Sequence, residues 1–310
     1  MRDKIIAVFI FFILLKSLCH AEATLLLLPM SSRLKTSGVL AAEGISPSAM
    51  LINPAVLTGA VDSGRSAPGI FMEASFSQGF SGDDGYYYLG FSRGLRDFKN
   101  EYFYKTRIGF VLGYYDGGAM EFYDSRGYPR SVNAQRDYAG ILGFSGLLKN
   151  RRDSIGFAVK FYSSELASQY TASALAFDAG IIHRDGNFFA AGSIKNLGTT
   201  LKYLYSEEQL PLVMSVMAGL EEENFTLGVL LPYNLRDSEL SSLAEIGGEM
   251  RFNKILSARA GYKFNNKVEN FTVGFGINFK NPAIIFDYSM GLNKIFENTH
   301  HITISYIPSF

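Results

Sequence analysis

The chain has 310 residues with 29 basic and 29 acidic side chains, so it lacks the basic surplus of a nucleic-acid-binding protein. Charged residues are 19%, below the usual quarter, while 26 Phe and 18 Tyr bring aromatics to 14%. Together with 31 Gly, that composition excludes a disordered chain and suits many strands joined by tight turns.

Residues 1–23 have the layout of a secretory signal peptide. Arg2 and Lys4 supply the basic start, Ile5 to Leu15 is unbroken apolar, and "CHAEA" offers cleavage after Ala21 or Ala23. That apolar run falls well short of the roughly 20 residues of a spanning helix. Cys19 is the only cysteine and leaves with the leader; as a lipidated first residue it would follow bulky Leu18, where a small residue is expected. The mature chain then has no thiol chemistry. No later apolar run is long enough for a spanning helix, which leaves strands as the means of crossing a membrane.

Residues 24–68 alternate little and are rich in Ala, Ser and Leu; they are expected as short helices and coil. From Gly69 onward, residues of opposite character alternate, as in a strand with two unlike faces. In "FTVGFGINFK", Phe271, Val273, Phe275, Ile277 and Phe279 oppose Thr272, Gly274, Gly276, Asn278 and Lys280. Similarly, Ile155, Phe157, Val159 and Phe161 oppose Gly156, Ala158 and Lys160. Fourteen wall strands are expected, near 69–79, 85–96, 104–115, 137–148, 153–165, 172–184, 187–196, 210–221, 224–232, 243–253, 256–264, 270–280, 283–292 and 299–307. A fifteenth segment, Ala119–Ser125, is short and follows Gly117–Gly118, so it is assigned to a loop ribbon. Connections after even strands are mostly tight ("KNRRD", "RDGN", "EEEN"), and those after odd strands mostly long. Short turns on one rim and long loops on the other, with an even strand count, is the layout of an outer-membrane barrel whose short turns are periplasmic. The expected fold is therefore all-β: a transmembrane antiparallel barrel over 69–310, with a partly helical plug over 24–68.

Ile302, Ile304, Tyr306 and the terminal Phe310 share one strand phase and fit the signal read by the outer-membrane assembly machinery. Tyr-rich runs at 86–88, 102–104 and 114–115 lie near strand ends, as interfacial girdles do. Glu245, Glu249, Arg251, Arg259, Lys263 and Asp287 fall on inward polar faces; they are read as ion pairs that close the barrel, the other reading being a charged lumen that tunes passage. "GFSRG" around Ser92 matches the nucleophile-elbow pattern, but that elbow needs a strand–turn–helix and this stretch alternates as a strand. His300 and His301 are adjacent, so on a strand they face opposite ways. They and His183 are read as surface or interface residues. No catalytic constellation, metal site or cofactor is expected.

"SAMLINPAVLTG" carries Asn53, Pro54 and Ala55. "IGFAVKFYSSELASQY…FDAG…KNLGTTLKY", "LPLVMSVMAGL" and "FDYSM…THHITISY" follow in order. This ordered set resembles the PorV/PorQ family, whose members share the FadL-type outer-membrane barrel. The resemblance implies a fourteen-stranded barrel with an N-terminal plug in the outer membrane of a diderm bacterium. It also implies a leading role, passage of hydrophobic small molecules such as fatty acids across the outer membrane, and an alternative, a PorV-like part in protein secretion that binds exported proteins. A barrel lipid hydrolase is a weaker third. The expected partners are outer-membrane lipid, the barrel-assembly machinery, and a hydrophobic ligand or secretion-system proteins. Asn-Pro initiates turns, so Asn53-Pro54-Ala55 either bends the plug or, with Met50, Leu51 and Ile52, lines a gated ligand pocket.

Overall fold

Because the strand period is two, a wall can show apolar side chains to one side and small or polar ones to the other along its whole length. The computed structural model closes such a wall into a barrel. It describes residues 24–308 apart from 27–29, 45, 60–68, 80–82, 96–100, 124–126, 205, 237–243, 254, 267 and 281–282; the expected leader, residues 1–23, and Phe310 therefore lie outside the described residues.

The strands are β1 (Ile70–Gln78), β2 (Gly85–Gly94), β3 (Phe103–Asp116), β4 (Ala119–Tyr123), β5 (Pro129–Asn133) and β6 (Gln135–Leu148). Then come β7 (Asp153–Leu166), β8 (Tyr170–Asp185), β9 (Phe188–Gly198), β10 (Thr200–Lys202), β11 (Glu207–Gln209) and β12 (Val213–Glu221). The last are β13 (Phe225–Asn234), β14 (Glu245–Phe252), β15 (Leu256–Lys263), β16 (Glu269–Lys280), β17 (Ala283–Asn293) and β18 (Thr299–Tyr306). All but β4, β5, β10 and β11 form the wall, in the order β1-β2-β3-β6-β7-β8-β9-β12 through β18. The wall closes where β18 pairs antiparallel with β1, Ile304 opposite Ala74. The expected fourteen-stranded antiparallel barrel is what is observed.

The segment at 119 does leave the wall, and pairs with β5 as a ribbon. A second ribbon, β10–β11, rises between β9 and β12. Two details differ from expectation. β6, β7 and β8 run for 14, 14 and 16 residues, beyond the 9–11 needed to cross a bilayer, so the wall stands higher on the loop side there. The β7–β8 connection, on that same rim, is only 167–169.

The outer face is apolar all round: Leu89, Phe157 and Val216 are 59%, 56% and 60% exposed. A continuous exposed belt of this kind is foreign to a soluble surface and suits lipid, where each Leu or Phe side chain gains about 1.5–3 kcal/mol over water. "FTVGFGINFK" accordingly turns Phe271, Phe275 and Phe279 outward, while Gly274 meets Thr36 and Gly276 meets Arg259 and Asp287 inside. The tyrosine runs split by the same rule. Tyr87 stacks outside with Tyr114, which lies tilted against Tyr138, but Tyr86 and Tyr88 are buried in the lumen. At the turn rim Arg151 lies 4.2 Å over the Tyr104 ring.

Inside, residues 30–59 form α1 (Ser32–Thr36) and 3-10 turns at Gly38–Glu43, Pro47–Leu51 and Pro54–Thr58. Each starts at a small polar cap: Ser31 accepts from the backbone N–H three residues on, and Ser37, Ser46 and Asn53 from the one two residues on. Pro47 and Pro54 sit at the first helical position, where no N–H is needed. The local sequence thus dictates a string of short turns, which can coil within a lumen where a long helix would not fit. A further turn, Thr24–Leu26, packs beside β3 and β6 near the loop rim. The barrel itself begins and ends at the turn rim.

Candidate functional site

The plug coils inside the lumen and bonds to the wall on every side. Asn53, Pro54 and Ala55 grip one sector. Asn53 Oδ1 accepts from Ala55 N at 2.9 Å, and Nδ2 donates to Ile181 O and Gly192 O, each at 3.1 Å. Ile181 and Gly192 are cross-strand partners on β8 and β9, so one amide bridges two wall strands. The wall yields room for it: a Cβ on Gly180 would lie 2.0 Å from Asn53 Oδ1, and one on Gly156 2.3 Å from the Pro54 carbonyl carbon. Glycine is required at both for close backbone approach. The turn continues with Ser145 Oγ donating to Ala55 O at 2.8 Å and Thr58 Oγ1 to Ser154 Oγ at 3.1 Å.

Met50 and Leu57 pack over Gly109, and Met50 over Gly143. Leu51 O accepts from Lys195 Nζ at 3.1 Å and Ile52 O from Ser193 Oγ at 3.0 Å. The six plug residues singled out from the sequence therefore lie together against β3 and β6–β9. What the structure places around them is wall, and their contacts are packing and backbone hydrogen bonds.

The opposite sector is ionic. Arg33 pairs with Glu43 and, at 3.1 Å, with Glu249. Arg251 reaches Glu43 at 2.9 Å and Glu249 at 3.1 Å. Arg259 reaches Glu249 at 2.5 Å and Asp287 at 2.6 Å. Three guanidiniums thus balance three carboxylates, two members from the plug and four from the wall. Nearer the loop rim, Lys35 pairs with Glu269 at 2.7 Å, and Glu269 also accepts from Thr299 at 2.6 Å. Glu245 accepts from Gly38 N at 2.5 Å. Of the six inward charges read from the sequence, Glu249, Arg251, Arg259 and Asp287 lie in ion pairs, as that reading expected, and Glu245 takes a backbone N–H; the plug charges Arg33, Lys35 and Glu43 were not singled out. These three are charged residues in an otherwise apolar and small stretch, and buried wall charges must find partners.

A third sector, below β1 and β2, is a hydroxyl cluster. Glu73 accepts from Ser46 and from Tyr88 at 3.0 Å, with Ser48 beside them. His301 contacts the Ser77 hydroxyl and, at 2.9 Å, Tyr86 Oη, and it is buried in the lumen. That corrects its reading as a surface residue: period two sends His301 inward and His300 outward, where Tyr288 meets it at 2.7 Å. Ser92 lies inside β2, not on a strand–helix elbow. Among the described residues no group of His, Cys, Asp and Glu has a metal-holding arrangement.

The "NLG" turn forms a wall bulge. Register slips between Phe177 and Ala179, and Asn196 takes a positive φ of 62°. Its N–H donates to Asp178 at 2.8 Å, while Lys160 Nζ meets Asp178 at 2.6 Å and Asn196 Oδ1 at 2.7 Å. Above the plug the lumen is lined by Tyr88, Ala139, Tyr162, Ala172 and Ala174, against which Leu25, Leu26 and Met30 pack. Ile302, Ile304 and Tyr306 face outward on β18.

The fold recurs in solved structures. The toluene transporter TbuX of Ralstonia pickettii superposes with a TM-score of 0.60 at 13% identity, over 90% of this chain and 98% of that one. The P. putida toluene transporter TodX gives 0.59 at 14%, over 85% and 94%. A Pseudomonas aeruginosa FadL homologue gives 0.54 at 10%, over 90% and 99%. Comparison with curated proteins returns no match. Residues 122–306, from the end of β4 through β18, match the family described as type IX secretion system membrane protein PorP/SprF. That match supports the secretion-system side of the sequence reading under the PorP/SprF name, not the PorV/PorQ one. With more than half its length matched, the chain belongs to the PorP/SprF family of type IX secretion system membrane proteins.

Proposed function

We propose that this protein serves type IX secretion as a sealed outer-membrane barrel, non-enzymatic, that engages secretion-system proteins through its rims. The observation that carries the reading is the plug itself. Its hydrogen bonds, ion pairs and packing reach all fourteen wall strands, from Ser46–Glu73 on β1 to Ser32–Thr303 on β18. A lumen closed this way favours a scaffold over an open pore. The loop rim offers exposed Tyr123 and Tyr128 beside the first ribbon, Leu204 beside the second, and Ile295 and Phe296 before β18. Apolar and aromatic side chains at a rim are what a protein partner uses as anchors. A PorV-like binding of exported proteins is the finer form of this role.

Passage of a hydrophobic small molecule is the second reading. The Tyr- and Ala-lined upper lumen and the fold shared with toluene transporters favour it. Bilayer recordings separate the two. The sealed reading expects no steady conductance from the purified barrel and a step increase on deleting residues 40–58. It also expects loss of type IX cargo export, in a strain lacking the protein, to be restored by the full-length chain. Steady conductance, or a hydrophobic compound found bound by mass spectrometry with cargo export unaffected, would replace it with the passage reading.

A further inference from the structure

Asp137 lies at the loop end of β6 and is wholly buried. Its side chain lies on the lumen face with that of Ala139, across the strand pair from Ser164 and Tyr162 on β7. Gln135 Nε2 donates to Oδ2 at 2.8 Å. Oδ1 closes no hydrogen bond among the described residues, and neither do Tyr162 Oη, Ser164 Oγ and Tyr203 Oη. No described cationic side chain pairs with this carboxylate. Arg136, its neighbour, belongs to the other face, and Asp84 and Asp116 add negative charge around Tyr115, the cross-strand partner of Asp137. A buried carboxylate with no counter-ion is costly. The geometry asks for a cationic donor at the start of the Thr24–Leu26 turn.

We propose that Asp137 is the receptor for the α-ammonium group made when the leader is removed between Ala23 and Thr24. Water adds across the Ala23–Thr24 amide, catalysed by a signal peptidase: the acyl carbon becomes the Ala23 carboxylate, and the released nitrogen takes up a proton as the Thr24 ammonium. Residues 1–23 leave as the other product. The new ammonium is one residue from Leu25, which packs beside β6 in the cluster that holds Ala139, two residues along the same face from Asp137, and capture of an N-terminal amine by a ring of acceptors is a known recognition mode. Ala21-Glu22-Ala23 satisfies the small-x-small rule for that bond. Processing after Ala21 would leave Glu22 and Ala23 ahead of Thr24. It would displace the ammonium by up to about 7 Å and bring a further carboxylate towards Asp137.

The test uses the full-length gene product, purified folded from membranes. N-terminal sequencing and intact mass are expected to give a chain starting at Thr24; a start at Glu22, or an uncleaved chain, overturns the proposal. Labelling with an amine-reactive reagent near pH 8 then reads the terminal amine. Wild type is expected to react about tenfold or more slowly than Asp137→Asn, since one unit of pKa is a factor of ten in free amine. Equal rates in the two folded proteins would mean that burial alone protects the terminus and would overturn it. Should Asp137→Asn fail to fold, a chain with one glycine inserted after Ala23 keeps Asp137 and shifts the ammonium by about 3.5 Å. It is expected to label at the fast rate, and slow labelling there would be equally fatal.

Discussion

Replacing Glu249 by Gln removes the hub of the ionic sector while leaving its shape nearly intact. Glu249 meets Arg33, Arg251 and Arg259, and the side-chain exposures of all four are 13% or less. Without its charge, three guanidiniums face two carboxylates, Glu43 and Asp287, and one positive charge is left uncompensated. Breaking a buried pair in this way costs about 3–5 kcal/mol, which is roughly two to three and a half powers of ten in an opening equilibrium. The strain falls on the plug, because Arg33 and Glu43 belong to it. A cysteine at Ala41, which is buried in the plug, would report opening by its rate of thiol labelling in folded barrels. Glu249→Gln is expected to raise that rate at least a hundredfold. Adding Arg33→Met restores neutrality, leaving Arg251 with Glu43 at 2.9 Å and Arg259 with Asp287 at 2.6 Å; most of the loss should return. A single variant that labels like wild type, or a double variant that opens further than the single, would refute the reasoning.

Asn53→Ala strips two wall carbonyls of their donor and the Pro54–Thr58 turn of its cap, a loss of about 1–3 kcal/mol for the unmet groups that limited proteolysis of the plug would detect. Gly180→Ala puts a Cβ 2.0 Å from Asn53 Oδ1, so it should expose the plug similarly, and combining it with Asn53→Ala should add little, because both act through one contact. Full additivity in that cycle would show that the two residues are not coupled. Val159→Arg on the outer face should lower barrel stability in lipid by about 2–4 kcal/mol, against about 0–1 kcal/mol for Tyr104→Arg at the turn rim; urea refolding into vesicles measures both, and equal losses would mean that the belt is not lipid-facing.

The wall was legible because lipid and lumen demand opposite chemistry from alternate residues. Ile155 to Phe161 and Phe271 to Phe279 mark their strands and faces without any knowledge of neighbours, and the short fifteenth segment gave itself away through Gly117–Gly118. The interior was legible only in part. Asn53-Pro54-Ala55 announces a turn, but nothing local says that its amide spans Ile181 and Gly192. The wall charges predicted partners without naming them, since pairing Arg33 with Glu249 joins residues far apart in the chain. A tyrosine run such as "YYY" carries no sign of which member faces in, and period two alone divided it. The bulge at Asn196 depends on Asp178 across the strand pair, a long-range fact.

The lumen divides into a polar half and an apolar half, and the division bears on both functional readings. Around α1 and the 38–43 turn the plug is held by ion pairs and hydrogen bonds, each of which loses a partner if the plug swings away. Toward the loop rim it is held by Leu25, Leu26 and Met30 against Tyr and Ala side chains, contacts that an apolar guest could replace without leaving a charge unpaired. A hydrophobic molecule entering from the loops would therefore displace the Thr24–Leu26 turn first and meet the ionic sector only afterwards. Passage then requires a second, costlier event, the opening of the sector centred on Glu249. Docking at the rims requires neither, so a sealed scaffold needs no motion of the plug, whereas a channel needs a trigger strong enough to offset several buried ion pairs. The wild-type barrel with an apolar compound added is where the two part: displacement of the Thr24–Leu26 turn followed by conductance would belong to a channel, and an unmoved plug with no conductance to a scaffold.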